Sequence, residues 1–415
     1  MDKQLDRNAE KNKNAGWLLI LGVVLVGANL RLPLTSIGAL IPFIREDLAI
    51  SNALAGAITT LPLLAFAVLS PFAPKIANRI GMEWTIAIAL LLLIIGTTVR
   101  SLSSVEFLFA GTLLIGLAIA IGNVLIPGIV KMNFPLKVGL MTGIYAIFMN
   151  LFGALGSGLS VPLSSIGSFS WEGSLGIWVL LGIVSLLVWL PQLKKKRDNP
   201  QADVKQEKRE SLWRSPLAWQ ITLFMGGQSL IYYTLITWLP DILYTNGFNS
   251  NAAGWIVFLM QFALIPLTFI VPIVAEKMKN QVALSVITAS FFIIGILGFL
   301  QGGTFLAPLW AVLIGVAAGS AFSLSMMFFT IRSRDGKEAA ELSGMAQSFG
   351  YLLAAVGPIA VGALQDLTGS WTAPLLLLLF IAALILLAGM SAGKEGQVSE
   401  QQVSKKYAKT QHEAN

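Results

Sequence analysis

The sequence predicts an all-α membrane protein with twelve transmembrane helices in two six-helix bundles. Three observations carry this. The composition is 55% hydrophobic and only 12% charged, with a mean hydropathy of +0.76, whereas soluble domains average about 25% charged residues. Twelve apolar runs, each about long enough to cross a bilayer as a helix, lie at 17–42, 51–72, 83–100, 106–128, 138–163, 172–191, 217–240, 251–273, 281–300, 305–330, 339–363 and 371–391. The two halves of the chain also look like copies. At an offset of 198 residues Pro42 falls on Pro240, Gly56 on Gly254, Pro74 on Pro272 and Arg79 on Lys277. At an offset of 201 Gly143 falls on Gly344, Phe148 on Phe349, Gly156 on Gly357 and Lys131 on Arg332.

In chain order, a polar tail (1–16) leads into the first bundle (17–191). A polar linker (192–216) containing Lys194–Arg197 separates it from the second bundle (217–391), and a polar tail (392–415) follows. The polar N-terminus and the length of the first apolar run predict no cleaved leader. All but three of the 28 Lys and Arg residues fall in segments on one side of the twelve-span layout, the exceptions being Arg31, Arg45 and Arg100. By the positive-inside rule both termini and the linker are expected in the cytoplasm, with Arg45 and Arg100 at the outer ends.

The stretch Val26–Pro42 organises the rest. It places Arg31 inside the first span, two residues before Pro33. A guanidinium keeps its charge, and burying one at bilayer depth costs about 2.5 to 10 kcal/mol. Pro33 has no N–H for the carbonyl of Asn29. Irregular backbone within a membrane is tolerated where protein or a water-filled cavity satisfies it, so Arg31 is read as facing a central solute site. The alternative is an arginine that caps carbonyls of a neighbouring helix. None of the 21 acidic residues lies in mid-span. An anionic or strongly dipolar solute is therefore the expected counterpart of Arg31, because a guanidinium fork suits a carboxylate or a small planar anion.

Further candidates are polar side chains at helical spacing. Thr35 shares a face with Arg31, and Asn123 lies in the fourth span. Tyr145 and Asn150 lie in the fifth, Gln228 and Tyr232 in the seventh, Gln261 in the eighth, Ser323 and Ser325 in the tenth, and Gln347 and Tyr351 in the eleventh. The repeat makes Ala146 and Asn150 the counterparts of Gln347 and Tyr351. Each candidate has a structural alternative: Ser and Thr bond their own helix backbone, lone amides join helices, and Tyr sits at interfaces. The small residues Gly139, Gly143, Gly153, Gly156 and Gly158 are read as sites of close helix contact.

A parallel six-helix repeat is the pattern of the major facilitator superfamily, in which two bundles rock about a midplane site. The loop after the second span, Ala73–Gly81 (APKIANRIG), resembles that superfamily's loop signature. Arg79 and Gly81 match it, while Asn78 stands where an acidic residue is usual, which puts the gating salt bridge of that acid in doubt. NLRLPLTSIGALIP in the first span, Gly122–Gly143 and Glu341–Trp371 resemble the cyanate permease/nitroimidazole transporter family over nearly the whole chain. The resemblance implies a small solute carried by alternating access in a bacterial inner membrane, by a monomer. Cyanate-like anions and nitroimidazoles are the solute classes it suggests, to which the guanidinium fork of Arg31 adds small carboxylates.

The sequence has no cysteine, and its single histidine, His412, lies in the C-terminal tail. With no Cys or His within the spans and no Asp or Glu in mid-span, no familiar catalytic constellation or metal site can be built there. No enzyme activity, cofactor or nucleic-acid partner is expected, and the expected partners are solute and lipid. The competing reading is a broad hydrophobic-drug exporter with a structural Arg31, lined by Phe148, Met149, Phe152, Met326, Met327 and Phe328.

Overall fold

The computed structural model describes residues 2–38, 40–50, 52–166, 169–194, 211–302 and 305–398, which are helical throughout apart from short connections. Helices are the expected outcome, since a chain inside a bilayer must satisfy its backbone groups within each segment. Among the described residues ten helical segments are long and apolar enough to span a membrane, and a bent pair makes an eleventh. The one remaining expected span, the seventh, forms a 30-residue helix, Pro216–Thr245. Gln228, Ser229, Tyr232 and Tyr233 interrupt its apolar run.

Two compact units emerge from the packing. The first comprises residues 1–65, 75–126 and 144–209, and the second 66–74, 127–143 and 210–415. The segments 66–74 and 127–143, which precede the linker in sequence, thus pack with the second unit.

The first unit opens with α1 (Asp2–Asn29), followed by the short helices α2 (Leu32–Gly38) and α3 (Ile41–Leu48). The first span therefore covers Gly16–Gly38 rather than reaching residue 42, because Pro42 sits in the first turn of the separate helix α3. Next come α4 (Asn52–Leu69) and α5 (Ala73–Ile80), with a 56° bend between the apolar part of α4 and α5. The basic loop of the sequence reading is thus a helix. It buries Ala73, Pro74 and Ala77 and exposes Lys75, Asn78 and Arg79. Gly81 follows with φ 101° and ψ 148°, a conformation essentially restricted to glycine, which gives the motif glycine a backbone role. Then follow α6 (Met82–Arg100), α7 (Val105–Asn133), α8 (Val138–Ser164), α9 (Trp171–Gly176) and α10 (Val179–Trp189), the last two forming one span. A cluster of Ile37, Leu40, Ile44, Ile58, Leu108 and Trp171 closes one end of this unit. There the Trp171 indole donates to Asp47 Oδ2 at 2.9 Å.

The second unit holds α11 (Pro216–Thr245), α12 (Ser250–Lys277), α13 (Val282–Leu300), α14 (Ala307–Ile331), α15 (Gly336–Thr368) and α16 (Thr372–Ala392). Its closest pairs are α11 with α15 and α12 with α14. At Gly315 a Cβ would come within 2.0 Å of the Met260 carbonyl oxygen, so only glycine lets α14 approach α12 there. After α14, Arg332 ties three segments together. Its Nε donates to Ala392 O at 2.9 Å, its Nη2 to Gly393 O at 2.9 Å, and Nη2 also reaches Gln281 Oε1. Burial pushes the Arg332 guanidinium below its ordinary pKa, and Glu395 opposes that shift. Val398 N–H donates to Arg332 O at 2.9 Å, which holds the segment after α16 against the same residue.

Candidate solute site

In the first unit the site is built around the break between α1 and α2. With no N–H at Pro33 the i→i−4 ladder cannot continue through it, and α1 ends at Asn29. The Arg31 carbonyl accepts from Leu34 N–H at 3.0 Å and Thr35 N–H at 3.1 Å, which starts α2 afresh. Arg31 is half-buried. Its aliphatic stem lies on Gly153 of α8, where an added Cβ would come 2.9 Å from Arg31 Cγ. Thr35 Oγ1 donates to Gly153 O at 2.7 Å, so the same glycine receives both residues of the predicted Arg31/Thr35 face. Asn29, at the end of α1, donates through Nδ2 to Leu25 O at 2.8 Å and Ser185 Oγ at 2.7 Å.

The other first-unit candidates lie on the helices flanking this break. Asn123 is half-buried on α7, next to Gly122, which packs against Leu30. Tyr145 is buried on α8, with its backbone against Gly27 of α1. Asn150 is buried and donates to Ala146 O in its own helix at 2.8 Å.

In the second unit Gln228 and Tyr232 are buried on α11, and Gln347 and Tyr351 on α15. Gln228 Nε2 donates to Ser229 Oγ at 2.8 Å, and Gln347 Nε2 to Ser343 Oγ at 2.7 Å. Tyr232 meets the Tyr233 ring edge-on at 5.4 Å, and Tyr351 meets Phe66 at 4.7 Å. The backbones of α11 and α15 approach at Gly226 and Gly350, which brings the two polar faces onto neighbouring helices of one unit. Gln261 is instead exposed on α12. Ser325 bonds Ala321 O in its own helix at 2.8 Å. The Ser323 hydroxyl has no hydrogen-bond partner among the described residues.

One functional group escaped the sequence reading. Arg100 is not a solvated residue at an outer helix end. It is 1% exposed, and its Nη1 donates to Pro33 O at 2.6 Å. The available signal was Arg100 following Gly96 by four residues, with Gly111 on the next helix. A Cβ at Gly111 would lie 2.3 Å from Arg100 N and 2.5 Å from Gly96 O, so α6 and α7 touch backbone to backbone there.

Polar groups and an arginine at a helix break inside the first span of a polytopic helical protein are features that a carrier for small solutes requires. Comparison with known proteins agrees. The model of the Major Facilitator Superfamily matches residues 19–358. An uncharacterized transporter, YycB, of Bacillus subtilis is 46% identical over 386 residues, covering 92% of this chain and 95% of that protein. The 2-nitroimidazole transporter of Escherichia coli is 38% identical over 383 residues, 92% and 96% of the two chains. The cyanate transport protein CynX of the same organism is 26% identical over 354 residues, 85% and 91%. Among solved structures, the proton:xylose symporter XylE superposes with a TM-score of 0.75 at 13% identity, covering 94% of this chain and 99% of that one; at that identity the likeness concerns the fold. The chain belongs to the major facilitator superfamily, and within it to the cyanate permease/nitroimidazole transporter family. It is a multi-pass membrane protein with the twelve-helix major facilitator fold, a secondary transporter of small solutes and not an enzyme.

Proposed function

We propose that this transporter moves a compact anion or polar planar solute by rocker-switch alternating access, with Arg31 as the central solute ligand. The observation that carries the reading is the position of Arg31. It lies at the α1/α2 break inside the first span, half-buried, its stem held against Gly153. A planar guanidinium presents paired N–H donors that match a carboxylate, a nitro group or a small anion. The names of two relatives, a 2-nitroimidazole transporter and a cyanate transport protein, fit that donor geometry: one names a planar nitro-heterocycle, the other a compact anion. Thr35, Asn123, Tyr145 and Asn150 complete the polar surroundings in the first unit. Gln228, Tyr232, Gln347 and Tyr351, with the exposed Gln261, are the solute-ligand candidates of the second unit. Asn78, Arg79 and Gly81 belong to the gating loop. The protein works as a monomer in a bacterial inner membrane, and its termini are cytoplasmic, an orientation that the distribution of Lys and Arg supports.

The drug-exporter reading has less behind it. Met149, Met326, Met327 and Phe328 are buried in packing, Phe328 edge-on to Phe224 at 5.6 Å. The test is counterflow into proteoliposomes with cyanate, nitrate, benzoate and 2-nitroimidazole, beside a hydrophobic cationic dye. Exchange of at least one of the first four, without the dye, is expected. Exchange of the dye alone would overturn the reading.

A further inference from the structure

The buried guanidinium of Arg100 has a role that the solute site itself does not assign. Helix α2 has seven residues, too few to hold a helix without tertiary support. The break at Leu30–Arg31 also uncouples it from α1. Two side-chain ties to other helices hold it. Thr35 Oγ1 joins it to Gly153 O on α8 at 2.7 Å, and Arg100 Nη1, at the end of α6, joins it through Pro33 O at 2.6 Å. The second tie is charge-assisted, which makes it about twice as strong as a neutral hydrogen bond. It is also anchored from behind. Gly111 of α7 leaves so little room that a Cβ there would be 2.6 Å from Arg100 Cα, so the base of the side chain cannot shift without moving two helices. A cation in the last turn of α6 is further favoured by that helix's own C-terminal carbonyls. Among the described residues Nε and Nη2 of Arg100 have no hydrogen-bond partner. The bond to Pro33 is therefore the specific contact that this buried charge makes.

We infer that Arg100 is a positioning residue for solute recognition: by holding the Pro33 carbonyl it fixes α2, and with it the guanidinium of Arg31 two residues upstream. This rests on the reading of Arg31 as the solute ligand. Arg100 does not touch solute. Its loss acts through the placement of Arg31, so apparent affinity should fall while a folded carrier remains.

The test pairs transport with a reporter on α2. The chain has no cysteine, so a single introduced thiol is the sole labelling site. Gly38, the last residue of α2, is exposed, and a Cβ there meets nothing within 4 Å. Gly38→Cys therefore accepts a nitroxide spin label without disturbing the helix. In that background Arg100→Met, Arg100→Gln and Arg100→Lys are assayed by proteoliposome counterflow with labelled cyanate, benzoate and 2-nitroimidazole, and by the mobility of the label. Methionine removes the charge and the donor, a change that buried sites often tolerate. Glutamine is two bonds shorter and serves the same purpose should the methionine variant not be recovered folded. Lysine keeps a charged donor of similar reach.

The expected result is a rise of roughly tenfold or more in half-saturation, equivalent to about 1.4 kcal/mol, at a maximal rate within about threefold of wild type for Met or Gln. The label at position 38 should become more mobile, and Lys should restore both readouts to near wild type. Unchanged half-saturation in a folded Met or Gln variant would overturn the inference, as would a mobilised label with unchanged transport, or a Lys variant as impaired as Met. Arg31→Ala is run alongside. If it leaves transport intact, the ligand reading itself falls. If it abolishes transport while the Arg100 variants change nothing, the ligand reading stands and the positioning role falls.

Discussion

Thr35 Oγ1 donates to the carbonyl oxygen of Gly153 at 2.7 Å, and the stem of Arg31 rests on that same glycine. One residue of α8 therefore seats both polar residues of the short helix after the break.

Gly153→Ala tests this seat. The added methyl would meet Arg31 Cγ at 2.9 Å and Cδ at 3.3 Å, atoms near the root of the side chain that cannot swing away cheaply. Overpacking of this kind costs about 1–3 kcal/mol. The expected outcome is a several-fold rise in half-saturation for the transported anion with a small drop in melting temperature, read by counterflow and by thermal unfolding in detergent. Gly158, whose added Cβ would meet nothing within 4 Å, is the control, and Gly158→Ala should behave as wild type.

Thr35→Val keeps the shape and removes the donor to Gly153. Hydrogen bonds between membrane helices are worth about 0.6 kcal/mol on average and up to about 1.7. A melting shift corresponding to about 1 kcal/mol or less is expected, with Thr35→Ser restoring most of it.

At the end of α5, Gly81 holds φ 101° and ψ 148°. A side chain there should cost about 1–3 kcal/mol. Gly81→Ala and Gly81→Asn should lower the unfolding temperature alike, because this region is closed to asparagine as well. Arg79→Ala, two residues earlier on an exposed face, should leave the melting temperature unchanged.

Arg332→Lys should loosen the end of the chain. Lysine cannot reproduce the fork that serves Ala392 O, Gly393 O and Gln281 Oε1 together. Hydrogen bonds to charged groups contribute about 1.5–3 kcal/mol each, so losing one of the three predicts a drop of that order. Faster amide exchange at Val398, whose N–H donates to the Arg332 carbonyl, is the local readout.

How much of this could be read from sequence depends on the kind of signal. Span positions were readable because twenty apolar residues in a row have few other uses. The helices run past the apolar runs where polar termini continue the turn, as α15 does from Gly336 to Thr368. The break at Arg31 was visible because a charge and a proline coincide. The mate of Arg31 on α8 was not, because Gly153 marks a close approach without naming what approaches. Arg100 was misread for a physical reason: an arginine closing an apolar run normally snorkels to water, and only the tertiary crossing of α6 with α7 and α2 turns it inward. Repeat counterparts also differ in their surroundings. Lys131 and Arg332 are counterparts in sequence, but Lys131 lies in the field of Asp335 and Glu338, while Arg332 turns to the carbonyls that follow α16.

The central claim is that Arg31 binds the solute, and the most direct measurement is counterflow of labelled cyanate by wild type, Arg31→Lys and Arg31→Ala, each verified as folded. The account predicts that Arg31→Ala abolishes exchange and that Arg31→Lys, which keeps the charge but loses the planar pair of donors, falls by at least tenfold in kcat/KM. Exchange by Arg31→Ala at the wild-type rate would contradict it and make Arg31 a structural residue.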